Sequence, residues 1–396
     1  MSDAERQPGL TKPTGLELAR VQTQKHIVWA LLLIALVGIP LLYWAGFISI
    51  STVNMLGRYM CFAIVAVGLD LLWGYTGILS LCQALFFSLG GYAMGMYLAH
   101  HGGPEGIIDK AGWKIPACLY VVYPYGIGEA PEDALVPWFW KPFFSLPLTF
   151  LLGLLIPGLV AGIIGFFGFR SRVRGVYFAI LTQAITVAAW LVFCMNNMKL
   201  CGTNGLTRFD KIAGFKLSED PVKFSLYMLT VVALSLSYFL CRFIIKSRLG
   251  RVLVAIRDDE NTLRFSGYKP YLYKLFAFVL AGMLAGLGGM LYTPQMGIFT
   301  PSNMEASASI LVVIWVAVGG RGSLSGAILG ALEVLLDGHR GEDVVGLRHE
   351  AHALADTRLR RQLGDVFTVE PHHALAQAQH PEHRLHRRRF AGPVGA

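Results

Sequence analysis

Apolar residues fill blocks of about 20 along most of this chain, the length needed to cross a hydrocarbon layer as a helix. Such blocks lie near 27–47, 52–73, 83–99, 146–169, 176–195, 224–245, 275–293 and 306–319, and a further apolar segment runs from about 324 to 336. None shows the strict alternation of a half-buried strand. The pattern predicts an all-α, polytopic transmembrane bundle of about eight to nine spans. The opening block is too long for a signal-peptide core and lacks an evident small-residue cleavage site, so it is expected to remain as a membrane helix. Between the sixth and seventh blocks stands a polar island, "SRLGRVLVAIRDDENTLRFSGYKP", residues 247–270. Leu253, Ile256 and Leu263 fall near one helical face within it. Asp258, Asp259 and Glu260 suit the first turn of a second short helix, where acids are favoured by the backbone dipole. Gly267 and Pro270 then end that helix.

Composition agrees with the pattern. The chain is 54% hydrophobic and only 15% charged, with a mean hydropathy of +0.53, too little charge for a soluble surface of this size. The net charge of +9 is spread over short loops rather than gathered into a nucleic-acid patch. Its placement orients the chain. Arg170, Arg172 and Arg174 follow the fourth block, and Arg242, Lys246, Arg248, Arg251, Arg257, Arg264, Lys269 and Lys274 flank or occupy the polar island. Both segments are expected in the cytoplasm. Segment 100–145 is balanced towards acids, 296–305 has no Lys or Arg, and 196–223 falls outside by alternation. This order requires a cytoplasmic N-terminal segment, residues 1–26, ahead of a membrane domain over 27–336 whose cytoplasmic loop spans about 246–274. Gly91/Gly95 and Gly282/Gly286 recur at the spacing that lets membrane helices approach closely.

Candidate chemistry is sparse. The six cysteines form no CxxC pair, and burial explains them better than metal or redox use. No metal-ligand spacing and no GxxxxGK[ST] phosphate loop occur in the membrane domain. Gly322-Ser323-Leu324-Ser325-Gly326 matches GxSxG, but a nucleophile elbow needs a strand–turn–helix context, and here the motif follows a membrane span. Asp70 and Glu305 are acids in or beside apolar blocks. Such residues are functional suspects unless a span end lets water reach them. Neutral hydrogen-bonding groups are more plentiful: Tyr75, Thr76, Ser80, Gln83, Ser88 and Tyr92, then Thr182, Gln183 and Thr186 on the fifth block. They can line a path for a small uncharged polar solute, or simply join helix to helix.

Long stretches resemble a known family. "SRLGRVLVAIRDDENTLRFSGYKPYLYKLFAFVLAGMLAGLGGMLY", "GLDLLWGYTGILSLCQALFFSLGGYAMGMYL", "FRSRVRGVYFAILTQA", "CGTNGLTRFDKIAGF" and "VVIWVAVGGRGSLSGAILGAL" are similar to permeases of ABC importers that serve branched-chain amino acids and urea. The likeness covers roughly 28–332, and the wording of the motifs is nearest the urea branch. It implies a multi-pass subunit of a bacterial inner membrane, not itself an enzyme. Implied partners are a second permease, two cytoplasmic ATPase subunits that bind ATP and Mg²⁺, and an external substrate-binding protein. Lipid surrounds the assembly, and no cofactor or metal belongs to this chain. The resemblance further implies that the polar island is the coupling segment, with Arg257, Asp258, Asp259, Glu260 and Gly267 meeting an ATPase. Where the family often has Gly-His after "LSL", this chain has Cys82-Gln83, which keeps hydrogen bonding but loses a group titrating near neutrality.

Alternatives remain: a branched-chain amino acid permease, an intramembrane hydrolase using Ser323 or Ser325, or a secondary transporter. The likeness stops near Leu332. From Asp337 onward Lys, Ile, Tyr, Trp, Cys, Met, Asn and Ser disappear, and eight of the eleven His residues crowd in. Residues 337–396 therefore read as an atypical His/Arg-rich tail, best explained by a reading-frame change in a GC-rich gene, with metal or anionic-surface binding as the competing readings.

Overall fold

The computed structural model describes residues 30–102, 116, 119, 136–171, 175–207 and 209–342. Residues 1–29, most of 103–135, Arg172 and Arg174, and the tail beyond Glu342 lie outside the described residues, so expectations placed on them are not taken further.

Eleven helices follow one another among the described residues. They are α1 (Ala30–Trp44), α2 (Ile50–Thr76), α3 (Gln83–His101), α4 (Leu146–Arg170), α5 (Val176–Cys194), α6 (Asp220–Lys246), α7 (Arg248–Asp258), α8 (Glu260–Phe265), α9 (Pro270–Met296), α10 (Ala306–Gly319) and α11 (Leu324–Glu342). Local chemistry sets many of the boundaries. The Ser49 hydroxyl accepts the Thr52 amide at the start of α2, and Gly77, left-handed at φ +76°, ends it. Pro270 opens α9, and Gly297 at φ +78° closes it.

Five helices are long and apolar enough to cross a membrane: α2, α4, α5, α6 and α9. These five stand out by length and composition among the described residues, and the other expected spans differ from them in three ways. Helix α1 is a shorter apolar helix that contains a π-helical stretch, Ile34–Gly38. Helix α3 is less apolar, because almost every residue is buried by protein and need not be compatible with lipid. The blocks at 306–319 and 324–336 are not two independent spans. They form a pair bent by 117° at a four-residue break, which has the shape of one broken span or of a re-entrant loop.

Helix α9 is the centre of a hub, with α2, α3 and α4 packed against it. Of the most apolar stretch of each helix, 72% is buried in α2 and 67% in α9, against 33% in α4 and 22% in α5, so the latter two lie at the exposed rim of the bundle. Backbone-to-backbone contact explains the glycines of the hub. A Cβ on Gly289 would run into the Phe87 carbonyl of α3, and one on Gly286 would lie 2.5 Å from Pro157 Cγ of α4. The expected helix-packing role holds for Gly282/Gly286, which meet Ala161 and Pro157 of α4, whereas Gly91 and Gly95 make room for the loop side chains of Phe299 and Leu206.

At one end of the bundle, a two-stranded hairpin pairs β1 (Lys211–Ile212) with β2 (Phe215–Lys216). Leu206 and Phe299 exchange backbone hydrogen bonds of 2.7 and 2.9 Å, tying segment 196–219 to segment 297–305. These two segments, both expected outside, therefore share one end. Helices α7 and α8 join α6 to α9 at the opposite ends of those helices.

Candidate translocation and coupling sites

Between α2 and α3 the chain loses regular structure. Residues 77–82 are non-helical, so their backbone groups need other partners. Helix α5 supplies them. The Thr182 hydroxyl accepts the Leu81 amide at 3.0 Å, and the Thr186 hydroxyl donates to the Leu81 carbonyl at 3.2 Å. Their spacing of four residues puts both hydroxyls on one face of α5. At the start of α3 the Ser309 hydroxyl of α10 accepts the Ala84 amide at 3.1 Å. Irregular backbone at membrane depth is tolerated where protein buries it or a cavity adjoins it.

The structure thus brings Ser80, Gln83, Thr182 and Thr186 together around this connection. Ser80 lies 3.1 Å from Cys82 Sγ. Gln83 is fully buried, and neither amide atom has a partner among the described residues. The hydroxyls of Ser88 and Tyr92 and Oε1 of half-buried Gln183 are in the same state. Tyr92 sits apart from the connection, edge-on to Phe193 and Phe299. The Thr76 hydroxyl bonds back to the Leu72 carbonyl, and Tyr75 is half-buried beside it.

In the 247–270 segment, Leu253 and Ile256 of α7 are buried as their spacing predicts, while Leu263 belongs to α8 and is half-buried. The three acids fall at the joint between the two helices rather than all in one first turn. Asp258 ends α7, Asp259 caps α8 by accepting the Asn261 amide at 2.9 Å, and Glu260 begins α8. Hydrogen bonds from the Thr262 hydroxyl and from the Asn261 and Thr262 amides hold Asp259 below the usual carboxylate range. For Glu260, burial pushes the other way but is outweighed. Lys274 of α9 at 2.7 Å and Arg264 at 2.5 Å hold it below that range.

The five candidate coupling residues consequently divide. Glu260 turns inward to Lys274, and Arg257 sends its guanidinium back to the Gly74 carbonyl. Asp258, Asp259 and Gly267 are exposed, Asp259 while holding the joint, and the Arg257 side chain itself stays 38% exposed. Phe265, at the tip of α8, is 92% exposed, an apolar contact that the charge pattern did not single out. A cavity of about 160 Å³ lies between this segment and the start of the 77–82 connection, lined by Thr76, Gly77, Phe178, Arg257, Glu260 and Lys274.

Asp70 is wholly buried, not at a watered span end. One carboxylate oxygen accepts the Gly322 amide at 2.7 Å, and the other has no partner among the described residues. Glu305 is half-buried at the start of α10. The GxSxG segment is a turn between two helices, not a strand-to-helix elbow. Ser323 Oγ lies 3.0 Å from Ser325 Oγ and accepts the Gly326 amide, which is a helix-start arrangement. No group of three metal-ligating side chains occurs among the described residues. Cysteines 61, 82, 194 and 241 are free, and Cys201 is buried but also disulfide-bonded, a pairing that the expectation of ordinary burial did not include.

Residues 51–336 match the family model described as the permease component of the branched-chain amino acid transport system. The chain belongs to this permease family. Among its relatives, the high-affinity branched-chain amino acid permease LivM of Salmonella typhimurium is 27% identical over 333 residues, 78% of this chain and 66% of LivM. LivM of Escherichia coli K12 is 26% identical over the same shares. The autoinducer 2 import permease LsrC of Salmonella choleraesuis is 30% identical over 48% of this chain and 53% of its own length. The chain thus spans just under two thirds of the LivM proteins. No solved structure matches. These relatives are transport permeases rather than enzymes, and the multi-pass helical bundle suits the same role. The family match ends at residue 336, so the His/Arg-rich tail falls beyond it.

Proposed function

We propose that this permease is the membrane-spanning subunit of an ATP-driven importer in a bacterial inner membrane, with its N-terminus in the cytoplasm. The observation that carries the reading is the interrupted hub. Residues 77–82 form a non-helical break between α2 and α3, held by hydroxyls of α5, with Ser309 of α10 receiving the Ala84 amide at the start of α3, and flanked by buried amide and hydroxyl groups without partners among the described residues. Unsatisfied polar groups in a membrane core are costly, and a path for a polar solute gives them a use. In this reading Tyr75, Thr76, Ser80, Gln83, Tyr92, Thr182, Gln183 and Thr186 border the path. Segment 246–274 docks into one of two ATPase subunits, which bind the ATP and Mg²⁺. A second permease completes the pathway, and an external binding protein delivers the solute.

Urea is the solute we favour. The candidate path groups are neutral donors and acceptors, which fit a small uncharged amide and supply no counter-charge, and the motif resemblance points the same way. The second reading, a branched-chain amino acid, is favoured by the names of the LivM relatives. Uptake of labelled urea and labelled leucine by the complete transporter separates them. A partner ATPase that binds but cannot hydrolyse ATP abolishes uptake if the importer reading holds. Uptake that persists after ATP depletion would make the chain a secondary transporter. Ser323→Ala and Ser325→Ala leave transport intact unless hydrolysis is the true activity.

A further inference from the structure

Helix α2 ends where three other segments converge. The last carbonyls of a helix lack intrahelical partners and carry the negative end of its dipole. Two arginines donate to carbonyls of this last turn, and the Trp73 carbonyl also accepts the Gly77 amide at 3.2 Å. Arg257 of α7 donates through Nη1 to the Gly74 carbonyl at 3.0 Å. Arg321, in the break between α10 and α11, donates through Nε to the Trp73 carbonyl at 3.2 Å, with its guanidinium carbon 5.1 Å from the centre of the Trp73 ring. One turn earlier, Asp70 accepts the Gly322 amide. Gly74 permits the convergence, because a Cβ there would lie 2.6 Å from the Gly322 nitrogen and 2.8 Å from its Cα. Gly322 itself stands at φ +80°, a backbone conformation costly for other residues.

We propose that Arg257 is a positioning residue inside the permease rather than an ATPase contact. It fastens the coupling helices to the end of α2 and, through the Asp70–Gly322 and Arg321–Trp73 links, to the α10–α11 break. This assignment rests on the importer reading above. Two branches lead from the junction to the path. Along the chain, the end of α2 runs straight into the 77–82 connection held by Thr182 and Thr186. Across the break, α10 carries Ser309, which receives the Ala84 amide at the other end of that connection. A displacement of α7 that drags Arg257 therefore acts on both ends of the irregular segment. A side chain whose only task was docking would have no reason to place its guanidinium on a helix terminus of its own subunit, while Asp258, 65% exposed, holds its Nε at 3.2 Å.

The test uses the assembled transporter in proteoliposomes, with labelled urea and labelled leucine as probes and ATP hydrolysis read in parallel. For Arg257→Ala the ATPase subunits stay bound and hydrolyse ATP, while uptake per ATP falls about tenfold or more, a coupling loss of ordinary size. Arg257→Lys, which keeps charge and an N–H donor at similar reach, recovers most of that uptake. Arg321→Ala attacks the junction from its other side and uncouples in the same way. It serves as the independent variant should Arg257→Ala fail to insert. Detachment of the ATPase subunits in Arg257→Ala overturns the proposal, as does wild-type uptake per ATP in either alanine variant. A wild-type assembly that imports neither probe in an ATP-dependent way sinks the importer reading itself, and the relay with it.

Discussion

Glu260 sits at the joint of α7 and α8 with one carboxylate oxygen on Arg264 and the other on Lys274 of α9. Its pKa is held below the ordinary glutamate value, so the ionised form is the one the fold favours. The carboxylate then stabilises the joint fully above that ordinary value and loses the contribution as pH falls through the depressed one. Glu260→Gln should lower the stability of the purified complex at pH 7 by roughly 1.5–3 kcal/mol, the scale of a hydrogen bond to a charged group. The gap in melting temperature between variant and wild type should close on acidification. A gap that widened in acid would contradict the assignment. Thr182 offers a second test at this scale. Thr182→Val leaves the Leu81 amide without its acceptor at a cost of about 1–3 kcal/mol, whereas Thr182→Ser keeps the hydroxyl. Loss of ATP-driven uptake in the valine variant, with the serine variant near wild type, is the expected pair of results.

At the scale of elements, the sequence spoke clearly where one helix answers to one apolar block. Helices α2, α4, α5, α6 and α9 lie where hydropathy put them, since long apolar runs have few alternatives in lipid. It spoke less clearly where helices are enclosed by others. Helix α3 hides its Ser, Gln and Gly content in the hub, and the α10–α11 bend depends on Gly320 and Gly322 at positive φ, which hydropathy does not register. Candidate site residues were legible as types but not as partners. Thr182 and Thr186 were visible as a polar stripe, yet only the fold shows that the stripe grips Leu81. Arg257 and Glu260 read as outward charges because their partners, a carbonyl 183 residues away and a lysine donor 14 residues on, leave no local mark. Glycine contacts were the most reliable local signal. Gly289→Ala should force α3 and α9 apart at a cost of about 1–3 kcal/mol, seen as a reduced yield of monodisperse protein in detergent.

For the whole molecule, orientation followed from counting basic residues in loops, and two separate features now bear on it. The Leu206–Phe299 pairing brings two loops expected outside to one end, and Cys201 in the first of them is disulfide-bonded, as suits an oxidising compartment. Phe265 belongs to the segment expected in the cytoplasm. Phe265→Cys, introduced with the free cysteines removed, should react with a membrane-impermeant maleimide only in inside-out vesicles. Cys201 should react from the outer side, and only after reduction. Labelling of position 265 in intact cells would invert the topology.

The contacts at the end of α2 also bear on how this permease changes over evolutionary time. Arg257 and Arg321 hold carbonyl oxygens, and Asp70 holds an amide, so in each link one partner is main chain that every residue type shares. No substitution on the receiving side can compensate for losing the arginine or the acid. In an alignment of relatives the hydrogen-bonded links should therefore leave no co-varying mate, and paired substitutions would report the junction only through its side-chain contacts, Arg321 over the Trp73 ring and Arg257 beside Asp258.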